Sequence, residues 1–208
     1  MDAAEVLSPA EVGAVTGAPV RAVYKAAEER LPRQVLVRRG RRRLLTRWGA
    51  VCFAIDREMP RDVPLPVRRQ LYAGILARRS TEPARCERGI LSYVVDVRAV
   101  ADRVDAELAR YRDAMALIVE DERVQGGAAT FRGTRILVHQ IASLLRQGTS
   151  EAELREDYPR LTPEMIAAAP LYARAHPRRG RPRKPAWRDG GDGSGTTAAG
   201  AVGERTRT

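Results

Sequence analysis

The segment 124–138 constrains the fold more strongly than any other part of this chain. It contains three glycines within a run that otherwise suits short β-strands: Gly126, Gly127 and Gly133. Glycine adopts positive φ at no steric cost, so these positions predict tight turns rather than a continuous helix. We therefore expect residues 117–121 to pair with residues 130–132 in a short hairpin that turns at Gly126 and Gly127.

Helix-start signals follow this hairpin and also open the chain. The sequence Ser-Pro-Ala-Glu at 8–11 is a capping box with proline at the first helical position. A second box lies at 150–153, directly after Gly148, which is suited to ending a helix over 136–147. Thr-Pro-Glu at 162–164 begins a further helix that should reach residue 174. The C-terminal part is thus predicted to hold three short helices.

The N-terminal third predicts helix, glycine turn, helix and hairpin. The first helix breaks at Thr-Gly-Ala-Pro (16–19), and a second follows over 20–28. Two β-prone runs then surround Gly40 within residues 34–46, which predicts a hairpin, and a helical pattern resumes over 48–55. A helix-turn-helix followed by such a hairpin is the layout of a winged DNA-binding domain.

Candidate DNA-binding residues lie on the second helix and on the hairpin. The helix presents Arg21, Tyr24 and Lys25, and the hairpin carries Arg38, Arg39, Arg41, Arg42 and Arg43. The helix would enter the major groove and the hairpin arginines would lie along the phosphates. A solvated cationic hairpin is the competing interpretation. Sequence alone does not separate base contacts from phosphate contacts.

The middle of the chain predicts a proline-rich connector at 59–66, a helix over 67–78 and a strand at 90–97. An amphipathic helix follows, whose apolar stripe is formed by Val97, Val100, Val104, Leu108, Tyr111 and Met115. Packing on the same chain is the favoured explanation of the stripe, and a dimer seam is the alternative. We divide the chain into a winged helix-turn-helix (1–58), a linker with one helix (59–89), a strand and helix (90–116), a trihelical domain (117–176) and a basic, largely disordered tail (177–208).

Charge and composition restrict the class of function. The formal net charge of +11 favours an anionic partner, with double-stranded DNA as the first candidate. A GC-rich genome would also enrich arginine, although it would not cluster it. No apolar run is long enough to span a membrane, and we expect a cytoplasmic protein. The sequence shows no spacing typical of metal ligands, no nucleophile with a recognisable base and no phosphate-binding loop. We therefore expect no enzyme activity, metal or cofactor.

A family resemblance rests on many residues in fixed order: Gly126-Gly127, Arg132-Gly133-Thr134-Arg135-Ile136, Val138, Gly148, Asp157-Tyr158-Pro159, Leu161-Thr162 and Tyr172-Ala173. Over residues 118–176 this pattern resembles the small trihelical domain of unknown function found in VapB-type antitoxins. The resemblance implies a homeodomain-like three-helix bundle preceded by a β-hairpin. Ala128-Ala129 stands where that family usually has proline. Arg135 is placed to tie the hairpin to a helix carbonyl or carboxylate. The N-terminal third is similar to MerR-like winged helix-turn-helix domains.

The resemblance implies a partner protein, since this domain typically accompanies a PIN-like ribonuclease toxin. An arginine-rich tail would then clamp the ring of carboxylates in the toxin cleft through Arg178, Arg179, Arg181, Arg183, Lys184 and Trp187. The Arg-Gly-Arg-Pro sequence also resembles an AT-hook for the minor groove, and a merely solvated tail is a third possibility.

The expected fold is therefore mainly α with short β-hairpins. The expected function is that of an antitoxin that inhibits a PIN-like toxin and binds operator DNA as a homodimer, because helix-turn-helix proteins usually read paired half-sites. The alternative is a free-standing transcriptional regulator.

Overall fold

The computed structural model describes residues 6–178. Within that range eight helices alternate with three small antiparallel sheets, so the mainly helical class with short strand pairs is confirmed. The helices are α1 (Pro9–Thr16), α2 (Val20–Glu29), α3 (Arg47–Glu58), α4 (Leu65–Arg78), α5 (Val97–Ala116), α6 (Val138–Gln147), α7 (Glu151–Asp157) and α8 (Pro163–Ala175). The strands are β1 (Val6–Leu7), β2 (Leu36–Arg39), β3 (Arg42–Thr46), β4 (Ala84–Arg88), β5 (Leu91–Val95), β6 (Ile118–Val119) and β7 (Thr130–Phe131).

The first sheet joins the predicted hairpin to a strand that the sequence did not predict. Strands β2 and β3 pair antiparallel from Leu36 opposite Leu45 to Arg39 opposite Arg42. Strand β1 adds to the other edge of β3, with Leu7 opposite Leu45. The side chain of Leu45 is fully buried at the centre of this sheet, where it anchors the hairpin to the N-terminal core.

Helices α1 and α2 pack against each other across the three-residue turn 17–19. Ser8 caps α1 in the predicted box, in which its hydroxyl accepts from the Glu11 amide and its own amide donates to the Glu11 carboxylate at 2.6 Å. Gly17 ends the helix in the left-handed conformation, with φ of 65°. These two local signals fix the bounds of α1, which is why the sequence predicted them.

The apolar stripe of α5 belongs to the core of its own chain. Val97, Val100, Val104, Leu108 and Tyr111 are all buried, and α5 packs on α1, α3 and α8. Packing, the favoured explanation, is therefore what the structure shows, and the stripe does not offer a dimer seam. A homodimer stays a prediction that needs another surface.

The C-terminal part forms a second apolar cluster around Phe131, Ile141, Leu154 and Ala169. Strand β6 pairs with β7, as predicted, and α6 and α8 pack on each other. Helix α8 also packs on α1 and α5, and its last residue, Ala175, is buried in the N-terminal core. This helix connects the two clusters. The predicted division of the chain into five segments stays a prediction.

Gly13 in α1 permits the close approach of this helix to the turn before α2. A Cβ atom at position 13 would lie 2.8 Å from the carbonyl oxygen of Ala18, which is a backbone atom and cannot rotate away. We expect Gly13→Ala to lower the free energy of unfolding by about 1–3 kcal/mol, as overpacking does. Gly74 in α4 is the control, because a Cβ there meets open space, and Gly74→Ala should stabilise the protein by roughly 0.5–1 kcal/mol. Urea denaturation measures both, and equal shifts for the two variants would contradict the close approach.

Candidate nucleic-acid interface

The second helix presents the predicted cationic face to solvent. Val23 and Ala26 are buried against the core, whereas Arg21, Tyr24 and Lys25 are exposed. Tyr24 is 47% exposed, which is unusual for an aromatic side chain in this structure. Within residues 6–178 none of these three side chains has a hydrogen-bond or ion-pair partner. They are free to contact a ligand.

The hairpin β2–β3 carries its five arginines around a two-residue loop. Gly40 has φ of 59° and Arg41 has negative φ, which is the pattern of a type II′ turn. Cross-strand partners share one face of a hairpin, so Arg38 and Arg43 lie on the face that begins with Leu45. Arg39 and Arg42 lie on the opposite face. All five side chains are exposed, and guanidinium groups surround the tip of the hairpin.

One ion pair joins the hairpin to the second helix. Arg43 Nη1 lies 3.2 Å from Glu28 Oε1 on α2. Both side chains are about half exposed, so the pair contributes little stability but brings the hairpin and α2 side by side. Arg43 was predicted to contact DNA, and nothing local in the sequence indicates Glu28 as its partner. The remaining four hairpin arginines have no ion-pair partner in residues 6–178.

Many arginines elsewhere serve the fold. Arg47 makes a bidentate ion pair with Asp105, and Arg103 Nη2 donates to both carboxylate oxygens of Glu58, so both arginines join α3 to α5. Arg57 donates to the carbonyl of Thr16 at the end of α1. Arginine abundance alone therefore says little about ligands. The unpaired group on the hairpin and α2 is distinguished by its clustering.

A buried ionic network lies beneath this surface. Asp56 of α3 has its carboxylate oxygens 2.8 Å from Arg30 Nε and 3.1 Å from Arg68 Nη1, and it accepts a 2.9 Å hydrogen bond from the Tyr72 hydroxyl. Arg68 also donates to the carbonyls of Val63 and Pro60. The network holds the end of α2, α3, the connector and α4 together. No local pattern in the sequence predicts it, because its members lie far apart along the chain.

The C-terminal motif has the turns that its glycines predicted. Gly126, Gly127 and Gly133 have φ of 62°, 80° and 75°. Thr134 Oγ1 donates to the Phe131 carbonyl at 2.9 Å and accepts from the Ile136 amide, which fixes the turn before α6. These residues act structurally.

The tie between the hairpin and a helix is made by Arg132. Its Nε donates to the carbonyl of Ala116, the last residue of α5, at 3.0 Å. Arg135, to which sequence analysis gave that role, is exposed and makes no such bond within residues 6–178. The register of the short β6–β7 pair decides this difference. Arg132 directly follows β7 and its amide donates to Leu117, so its side chain faces the end of α5.

An aromatic and acidic cluster joins α8 to α1 and α5. The hydroxyl of Tyr172 donates to Glu120 at 2.6 Å, and the hydroxyl of Tyr111 donates to Glu11 at 3.2 Å. His176 stacks on Tyr172 with ring centroids 4.4 Å apart. A cavity of about 400 Å³ is lined by these residues. Burial is the largest cause that raises the pKa of both tyrosines. The negative charge of the neighbouring glutamates and the hydrogen bonds to them raise it further, so both hydroxyls act as neutral donors.

His139 contacts this cluster through the edge of the Tyr172 ring. Burial and the positive charges of Arg178, His176 and Arg146 lower the pKa of His139. Within residues 6–178 no group of three or more His, Cys, Asp or Glu side chains is placed to hold a metal ion. No helix of that range is long and apolar enough to cross a membrane.

Of the predicted toxin-binding residues, only Arg178 lies in the part of the chain that the structure describes, and it is exposed. The others lie outside that part: Arg179, Arg181, Arg183, Lys184 and Trp187.

One family model matches the C-terminal part of the chain, and one relative matches most of its length. Residues 118–173 match the family model described as "Protein of unknown function (DUF433)". The match spans β6 to α8 and covers nearly the range over which the sequence pattern indicated a trihelical domain of unknown function. A relative, "Uncharacterized protein y4eO" of Sinorhizobium fredii, is 27% identical over 194 residues, which is 86% of each chain. No solved structure matches.

Proposed function

We propose that this protein is an antitoxin that binds operator DNA through α2 and the β2–β3 hairpin and inhibits a PIN-like ribonuclease through its C-terminal part. The observation that carries the DNA-binding half is the exposed cationic surface. It combines the exposed face of α2 with the arginine hairpin, in which Arg43 pairs with Glu28 of α2 and the other four arginines have no ion-pair partner within residues 6–178. The N-terminal unit would act as a MerR-like winged helix-turn-helix domain.

The roles of the two parts of this surface differ. Side chains of α2 would reach base edges in the major groove, where arginine and tyrosine can discriminate sequence. The hairpin arginines would contact phosphates on either side, because they lie on both faces of a narrow ribbon. Phosphate contacts supply affinity that depends on salt and does not depend on sequence.

A double variant of α2, Arg21→Ala with Tyr24→Ala, tests the base-reading role. Each lost base contact costs about 1–3 kcal/mol of discrimination, so the preference for operator DNA over unrelated DNA should fall by at least tenfold. Binding titrations of the promoter DNA of its own operon and of scrambled DNA measure this ratio. Arg69→Ala on the exposed side of α4 is the control and should leave the ratio unchanged. An unaltered ratio in the double variant would place base recognition elsewhere.

The antitoxin half of the proposal is supported by the family match over residues 118–173 and by the basic sequence that follows it. The resemblance to VapB-type antitoxins supplies the class of partner, a PIN-like ribonuclease whose active site is a ring of carboxylates. Guanidinium groups pair with carboxylates in bidentate geometry, so an arginine-rich segment can occupy such a cleft.

Co-purification with the neighbouring toxin tests this half. The full chain should form a complex that inhibits ribonuclease activity, and truncation at Pro177 should weaken the complex because it removes the arginines. Equal affinity of the truncated chain would exclude the tail as the inhibitor. A gene without a neighbouring PIN-like reading frame would instead favour a free-standing transcriptional regulator, which keeps the DNA surface and lacks the toxin partner.

A further inference from the structure

The β4–β5 hairpin presents the most apolar exposed surface in the described part of the chain. Ile90 at its tip is fully exposed, and Leu91 and Val94 of β5 are each 56% exposed. These are three of the five large apolar side chains that are exposed within residues 6–178. Cys86 and Ala84 on the inner face are buried against the core, so the hairpin is anchored at its base and projects at its tip.

The two strands of this hairpin differ in charge. β4 carries Arg85, Glu87 and Arg88, whereas the segment 89–95 has no charged residue and no proline. Monomeric proteins usually protect an exposed strand edge with charges, proline or a bulge, because an open edge can pair with another chain. β4 has such protection and β5 has none. Within residues 6–178 the only strand paired to β5 is β4, so the outer edge of β5 has open backbone groups.

We propose that the outer edge of β5 is the interface between two copies of this chain. Two β5 strands pair antiparallel across a two-fold axis and form a four-stranded sheet in the order β4, β5, β5 and β4. The proposal does not depend on DNA binding or on a toxin.

Charge restricts the surface through which two copies can meet. Each chain carries a formal net charge of +11, so two copies repel each other except where the contact surface is neutral. The arginine hairpin and the outer face of α2 are excluded by this criterion. The uncharged β5 edge meets it.

The sequence of β5 is also self-complementary. An axis through Tyr93 pairs Tyr93 with Tyr93, Leu91 with Val95 and Ser92 with Val94, and each pair lies on a common face. The two tyrosines and the two Leu–Val pairs share one face, through which Tyr93 and Val95 pack on the core of their own chain, so the joined sheet continues that apolar face across the axis. Such a contact is at the small end of interface sizes, below about 1,200 Å², so we expect an equilibrium that depends on concentration.

Analytical ultracentrifugation of the full chain over a concentration series tests the proposal. The weight-average mass should rise from the monomer value of 23.0 kDa towards twice that value. Leu91→Lys and Val94→Lys each add one positive charge per copy to an edge that must be neutral for two cationic chains to meet, and each should weaken self-association at least tenfold. Both side chains are exposed, so the fold should be retained. Leu65→Lys is the matched control, because Leu65 is exposed on α4, and it should associate like the unchanged chain.

Disulfide cross-linking tests the register. In a Cys86→Ala background, which removes the cross-strand neighbour of position 93, Tyr93→Cys should form an intermolecular disulfide on oxidation because the two positions face each other at the axis. Ser92→Cys should not, since its partner is Val94. A chain that stays monomeric at all concentrations overturns the proposal, as does association that the lysine variants leave unchanged. Self-association that appears only after residues 177–208 are deleted would assign the edge to that segment instead.

Discussion

Replacement of Asp56 by alanine is expected to lower the free energy of unfolding by about 3–5 kcal/mol, the typical cost of breaking a buried ion pair from one side. The side chain of Asp56 is 2% exposed and pairs with two guanidinium groups, those of Arg30 and Arg68. Without the carboxylate, the Arg68 side chain remains 10% exposed with its charge uncompensated. The hydroxyl of Tyr72 also loses its acceptor.

The effect should reach beyond one contact, because the network connects α2, α3, the connector and α4. Burial, with the adjacent Asp56 carboxylate, raises the pKa of Tyr72, so this hydroxyl stays a neutral donor across the physiological range. Loss of Asp56 should therefore weaken the packing of α2 and of the hairpin that contacts it. We expect weaker DNA binding in this variant even though Asp56 does not face the proposed ligand.

The matched control lies two residues further along the same helix. Glu58→Ala also removes one carboxylate that pairs with an arginine, Arg103, but both side chains are more than half exposed. Exposed ion pairs contribute about 0–1 kcal/mol, so this variant should be nearly neutral. Urea denaturation of both variants measures the difference. If the two variants lose equal amounts of unfolding free energy, burial does not determine how much the Asp56 network contributes to stability.

The sequence predicted elements whose signals are local. The capping boxes at Ser8 and Ser150 fix the starts of α1 and α7, and both are formed by residues three positions apart. Gly17 and Gly148 end their helices with positive φ. The exposed face of α2 and the hairpin around Gly40 were predicted on the same basis, because helical and strand periodicity are read within one segment.

Elements that depend on distant partners were missed. Strand β1 has two residues and exists only because β3 lies beside it. Asp56 looks like an ordinary surface residue at the end of a helix, since Arg68 and Arg30 reach it only through the fold. Strand β4 did carry a signal, because Ala84 and Cys86 alternate with Arg85 and Glu87 at period two. That alternation would have supplied a partner for the predicted strand at 90–97.

The candidate site also contains features that the sequence predicted and features that it did not. Its exposed cations followed from the sequence, whereas the Arg43–Glu28 pair and the role of Arg132 required the register of the strands. Of the five hairpin arginines, Arg43 pairs with Glu28, and the other four have no ion-pair partner within residues 6–178. Leu45 anchors the hairpin in the core, and the four unpaired cations are available to a polyanion.

Replacement of those four hairpin arginines, Arg38, Arg39, Arg41 and Arg42, by alanine is expected to produce the largest loss of DNA binding. Each phosphate contact contributes about 0.9 to the slope of log affinity against log salt, so four lost contacts should make the slope shallower by roughly 3.6. At about 0.1 M salt the same relation gives an affinity loss of roughly 4,000-fold. Operator and unrelated DNA should lose affinity alike, because phosphates carry no sequence information.

Arg43 and Leu45 are retained in this variant, so the ion pair to Glu28 and the buried anchor of the hairpin are unchanged. The control removes the same positive charge elsewhere, by alanine at the exposed Arg69, Arg78, Arg155 and Arg160. Fluorescence-anisotropy titrations at several salt concentrations give both slopes. If clustered phosphate contacts drive binding, only the hairpin variant changes the slope strongly. Equal changes in the two variants would instead show that net charge, rather than the arginine hairpin, attracts the DNA.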